Sequence, residues 1–163
     1  MYGKINQQKK ELQNNLNTKR KQFINSLTIL INACYFKNKD SNLMLEIKEN
    51  FIVYKKIAED IIITKTGEYI WKYKEQIKAG DDFFFINNSF DNDITEFYQK
   101  NPNEKRFNKN DVDEIFSLLK TTYPKLNEGE KKTIWTHTKN LLKYYAEYKL
   151  CKQRISEINK NSM

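Results

Sequence analysis

Ile5, Leu12, Leu16, Phe23, Leu27, Leu30 and Cys34 recur at helical intervals, and at 100° per residue they fall within about 40° of one line. No Gly or Pro interrupts them. The spacing therefore predicts a single N-terminal helix of about 30 residues, and that commits the chain to an architecture built around it. With only four Gly and two Pro in 163 residues, a turn-rich sandwich or barrel is disfavoured. The stripe is thin at its start, where Lys9 and Lys19 lie on or beside it, and widens after Phe23 to take in Ile24 and Ile31. Residues 1–22 are thus expected to form a basic arm projecting from the core. Ile5, Leu12 and Leu16 are the candidate seam of a homodimer, in the manner of a short coiled coil.

Further along, "KNKDSN" at 37–42 is a polar connector with Asp40 or Ser41 as helix N-cap. In the next segment Leu43, Ile47, Phe51, Tyr54, Ala58 and Ile61 share one face, with Leu45, Ile52 and Ile63 on the opposite face. A helix apolar on two sides is expected to be covered on two sides, which makes this the central helix. The β-branched run at 61–64 leaves an extended alternative there. "TKTGE" at 64–68 reads as a turn, followed by a helix with Tyr69, Tyr73 and Ile77 on one face and Gly80 as its stop. "DDFFFINNSFDND" at 81–93 is expected as a loop or brief strand whose Phe residues plug the bundle. One or two helical turns are expected over 93–100 and a solvated linker over 101–110. Asp111 with Glu114, and Asn127 with Glu130, resemble capping boxes and predict two helix starts. The first of these helices ends at Tyr123-Pro124; the second runs from about 128 to 155 and frays over 156–163. The expected fold is all-α: a single-domain irregular bundle of five to six helices with a long N-terminal helix.

Net charge is +8 but unevenly spread, with +6 in residues 1–40, −3 in 41–100 and +5 in 101–163. Two basic ends around an acidic middle suit a phosphate-bearing or acidic partner. The candidate contacts are Lys9, Lys10, Lys19, Arg20 and Lys21 near the start and Lys132, Lys139 and Lys143 near the end. The last three gather opposite the stripe Ile134, Thr138, Leu141, Tyr145 and Tyr148. Lys9-Lys10 and Lys19–Lys21 face different sides of a helix, which argues against one continuous phosphate track.

Signals for chemistry are sparse. His137, the only histidine, has no local partner, and Cys34 and Cys151 are too far apart in sequence, without CxxC or HxxxH spacing, to suggest a metal site. "DNDITE" at 91–96 begins like a calcium loop but has Glu96 where the sharp turn needs Gly. Asp40, Glu46 and Lys48 mimic a nuclease spacing, yet in a helical pattern. There is no GxxxxGK[ST], GxGxxG or GxSxG. No enzyme activity, metal or cofactor is expected. No secretory signal or membrane-length apolar run is visible, so an intracellular location, in host cytoplasm or nucleus or in a virion, is expected.

Two segments, 64–94 and 126–148, resemble a loose group of helical proteins encoded by large nucleocytoplasmic DNA viruses. That group has an "FF" plug after a helix and a later "K-x-IW-x-x-x-x-x-L" helix, matched here by Phe83, Phe84, Lys132, Ile134, Trp135 and Leu141. His137 stands near the position where an aromatic is usual. The resemblance implies an all-helical accessory or virion-associated protein. The expected function is non-enzymatic protein interaction, self-association included, with non-specific DNA or RNA binding through the lysine-rich ends as the alternative.

Overall fold

The computed structural model describes residues 2–80, 84 and 109–161. Among them lie six α-helices and one 3₁₀ turn, with no strand. They are α1 (Tyr2–Lys37), α2 (Asn42–Ile57), α3 (Glu59–Trp71), α4 (Lys74–Ala79), α5 (Lys109–Thr122), the 3₁₀ turn Tyr123–Lys125, and α6 (Glu128–Asn161). The architecture is the expected all-α irregular bundle with a long N-terminal helix.

The framework is α1 against α6, two helices each about 50 Å long at 1.5 Å rise per residue. They run antiparallel, as their cross-helix partners show. Lys37 meets Glu130 at 3.1 Å, Ser26 Oγ lies 3.2 Å from His137 Nδ1, and Lys19 meets Glu147 at 2.5 Å. Gln8 and Leu12 border a groove with Arg154, Glu157 and Ile158. Around one end of this pair the shorter helices gather, α3 touching α1, α5 and α6, and α2 touching α1, α3 and α5. This end is the body. Its core holds Phe23, Leu27, Leu30 and Ile31 of α1, Ile62, Ile63 and Tyr69 of α3, Phe116 and Leu119 of α5, and Ile134, Leu141 and Tyr148 of α6. Before Leu16 and after Tyr148 no described residue is buried. That end, α1 up to about residue 15 and α6 from about 150, is the stalk.

Local chemistry sets several boundaries where the spacing predicted them. Ser41 caps α2, its hydroxyl accepting from the Met44 N–H at 3.2 Å. Gly80 ends α4 at φ +65°, donating back to the Gln76 and Ile77 carbonyls. Asn127 and Glu130 form a reciprocal capping box: the Glu130 N–H donates to Asn127 Oδ1 at 2.8 Å, and the Asn127 N–H to Glu130 Oε1 at 3.1 Å. That backbone bond and Lys37 hold the Glu130 carboxyl below its ordinary pKa of 4.5.

Elsewhere the structure departs from expectation. Residues 1–22 do not project alone, because α6 lies alongside, and the 156–161 stretch expected to fray is helix. Leu16 of the candidate seam is buried in the body's own core, and Leu12 is half-buried in the groove with α6, so the seam finds its cover within the chain. The "TKTGE" turn is instead mid-helix in α3. Gly67 serves close approach there, since a Cβ at that position would sit 2.1 Å from the Tyr145 ring. The break falls earlier, at Ala58 (φ −153°), with Glu59 and Asp60 in the first turn of α3, where the helix dipole favours acids. Nor is α2 central, because Leu45 and Ile52 of its second apolar face are exposed. Helix α5 starts at Lys109, so Asp111 is not its N-cap. Of the Phe-rich segment, Phe84 is buried, its ring 5.5 Å from Tyr73 and 6.1 Å from Trp135. The remainder of 81–93 and the turns expected over 93–100 lie outside the described residues.

Candidate functional site

Gly67 lets α3 sit close enough to α6 that Trp71, one turn on, lands edge-to-face on Tyr145 with ring centres 6.0 Å apart. Trp71 is only half-buried. Its exposed part opens onto a cleft of about 320 Å³ between the α3–α4 corner and α6, lined by Trp71, Leu142, Ala146, Lys78, Lys139 and Lys143. Leu142, Ala146 and the Trp71 ring make the floor apolar, and the lysines stand on the rim. Two more lysines cover the ring itself: Lys149 Nζ lies 4.3 Å from its centre and Lys74 Nζ 4.7 Å. Lys149 also sits 5.0 Å from the Tyr145 ring, and Lys139 6.0 Å from Trp135. Gly80 lies close to Lys139, since a Cβ there would approach its Nζ to 3.1 Å.

Two ammonium groups over the indole and three lysines along the cleft raise the local potential and favour any anionic group that enters. The ring stabilises the ammonium groups through its quadrupole. Tyr145 beneath it stays protonated, because burial first and the nearby Glu68 charge second push its hydroxyl above the ordinary 10. Chemically the cleft can bind and orient an anionic group.

The structure sorts the sequence-selected cations into two sets. Lys139 and Lys143 line the cleft. Lys132 is exposed farther back on α6. On α1, Lys10 is exposed and Lys9 half-buried along the stalk. Lys19 is committed to Glu147 and lies 5.8 Å from the Tyr144 ring, the same distance as Lys143 on that ring. Arg20 is committed too: its Nε donates to Asp60 Oδ1 at 2.9 Å and its Nη1 to Asn17 Oδ1 at 2.6 Å. Lys21 borders a shallow recess with Asn17, Arg20, Glu59 and Asp60. The terminal basic groups therefore do not merge into a single track.

Trp71, Lys74, Lys78 and Lys149 were not singled out by the sequence. A local signal existed, Lys74 and Lys78 at i+3 and i+7 from Trp71, but only the contact of α4 with α6 joins them to Lys139 and Lys143.

The Arg20–Asp60 pair belongs to a second cluster where body meets stalk. Tyr148 donates its hydroxyl to Asp60 Oδ1 at 2.5 Å. Burial would raise the Asp60 carboxyl, but the bonds from Tyr148 and Arg20 outweigh it and hold the group below its ordinary 3.8. Burial and the Asp60 charge push Tyr148 upward. This cluster clamps α1, α3 and α6 together.

The remaining sequence candidates lie apart from the cleft. His137, its pKa lowered by burial, abuts Ser26. The Cys34 thiol is buried and pushed up to about 12, far from a reactive thiolate. Lys48 lies 3.9 Å from the Tyr35 ring centre rather than beside Asp40 and Glu46 in a working set. The 91–96 segment lies outside the described residues. No described helix is long and apolar enough to cross a membrane. No family model, curated protein or solved structure matches this chain.

Proposed function

We propose that this chain is a non-enzymatic interaction protein that holds an acidic segment of a partner protein in the Trp71 cleft. The observation that carries the reading is a cleft with an apolar floor lined by Lys78, Lys139 and Lys143, with Lys74 and Lys149 over its Trp71 ring. A carboxylate-rich segment satisfies the rim, and one apolar side chain between its acids fills the floor of Leu142 and Ala146. Lys74 and Lys149 already occupy the approaches to the Trp71 ring, so a nucleobase would have to displace them to stack. That favours protein over nucleic acid, whose non-specific binding uses open aromatic platforms. The setting we propose for this interaction is virion assembly or host contact.

The test is fluorescence anisotropy of the full chain with a labelled Glu-rich peptide carrying one central Leu, set against an oligothymidylate of equal charge. Peptide binding that weakens with salt and is lost in Lys139→Glu/Lys143→Glu supports the reading. Absence of peptide binding at low ionic strength sinks it. Tighter binding of the oligonucleotide, lost in the same variant, would replace it with nucleic-acid binding.

A further inference from the structure

Helix α2 turns one face to the body and leaves the other bare. Met44, Ile47 and Phe51 are buried, whereas Leu45, Ile52, Val53 and Ile57 are 43 to 73% exposed. Scattered exposed apolar residues are ordinary, but four within thirteen residues of one helix are a patch. Its charges are ordered along the helix. Lys48 is turned onto Tyr35 and Lys55 is half-buried, so the exposed charges of α2 are Glu46 and Glu49 in the first half and Lys56 in the second. Among the described residues, Glu49 and Lys56 have no ion-pair partner within the chain.

We infer that this face pairs with the same face of a second copy of the chain, antiparallel, about a twofold axis passing between Ile52 and Val53. In that register Glu49 of each copy stands opposite Lys56 of the other, giving two identical ion pairs. Ile52 of each copy meets Val53 of the other across the axis, and Leu45 and Ile57 extend the apolar surface toward the ends of the contact. The charge order also chooses the direction. A parallel pairing would set Glu49 against Glu49 and Lys56 against Lys56, and like charges facing each other across a helix pair are disfavoured. A twofold, self-complementary patch is what an isologous dimer requires. Helix α2 has 16 residues and is about 24 Å long. Its face alone is smaller than the roughly 800 Å² per partner of a stable interface, so the dimer is a weak one in rapid exchange. The inference does not depend on the Trp71 cleft and replaces the Ile5, Leu12, Leu16 seam as the site of self-association.

Sedimentation equilibrium of the full chain over a concentration series tests it. The wild-type chain is expected to dimerise with concentration. Glu49→Lys or Lys56→Glu alone is expected to weaken the dimer by about tenfold, because each variant sets like charges against each other twice. Mixing the two single variants restores association as a heterodimer, since every facing pair is then opposite in sign. All these positions are exposed, so the fold is not at risk, and Lys139→Glu/Lys143→Glu leaves the dimer unchanged. A monomer at every soluble concentration overturns the inference, as does a dimer indifferent to both single variants or a mixture that fails to recover.

Discussion

Body and stalk use the same two helices and the same kind of apolar spacing, yet they bury it to different extents. In the body, Phe23, Leu27 and Leu30 of α1 and Leu141 of α6 have essentially no solvent exposure, because α3 and α5 close over them. In the stalk, Ile5 and Leu12 of α1 and Cys151, Ile155 and Ile158 of α6 all remain half-buried. Two helices cover only the line between them, and full burial of an apolar stripe takes a further layer. The Asp60 clamp lies where that layer begins.

This contrast is open to attack, the largest effect first. Phe23→Ala in the body is expected to cost about 4 kcal/mol, the usual penalty for emptying a closed aromatic site. Guanidinium unfolding followed by circular dichroism measures it, and a loss near zero would mean that the body is not the stability centre. Gly67→Ala comes next, at about 3 kcal/mol, because its methyl must displace the Tyr145 ring or push α3 off α6. The same variant should change the fluorescence of Trp71, which leans on Tyr145, and that change would be absent if the crossing were loose.

At the boundary, Tyr148→Phe removes a donor to a carboxylate and is expected to cost roughly 1.5 kcal/mol. It also changes the acid limb of stability. The Asp60 carboxyl titrates below its ordinary 3.8 in the folded chain. Its contribution is therefore complete above that value and is lost as pH falls from 3.8 through the depressed pKa. Urea midpoints measured between neutral pH and pH 3 should fall less steeply in the variant. Smallest is Leu12→Ala in the stalk, at about 1 kcal/mol or less, since the side chain is already half in water. A cost equal to that of Phe23→Ala would show that the stalk is covered by something else, a second copy included.

How much of this could be read beforehand varies from element to element. Ser41, Gly80 and the Asn127–Glu130 box act on backbone groups within a few residues of themselves, so their spacing suffices. The length of α1 was equally legible, because an unbroken apolar line without Gly or Pro has few other solutions. Gly67 misled because one residue type serves two purposes, freeing a turn or admitting a neighbouring ring, and only Tyr145, far along the chain, decides between them. The break at Ala58 carried only the faint mark of Glu59-Asp60, and it becomes intelligible once Arg20 and Tyr148 are seen to draw Asp60 toward the α1–α6 junction. Of the cleft, Lys139 and Lys143 were visible as a helix face. Lys74, Lys78 and Lys149 join them only because α4 packs against α6.

The amino-acid order alone determined that this chain would be helical, where several helices begin or stop, and that α1 would be long, since all of these follow from interactions within a turn or two of backbone. The folded arrangement decided which apolar faces are covered, which cations are tied to carboxylates and which lysines gather at Trp71 and its cleft. Those outcomes depend on contacts between residues far apart in the chain, as between Ser26 and His137 or Lys19 and Glu147, and helical periodicity carries no record of such distances.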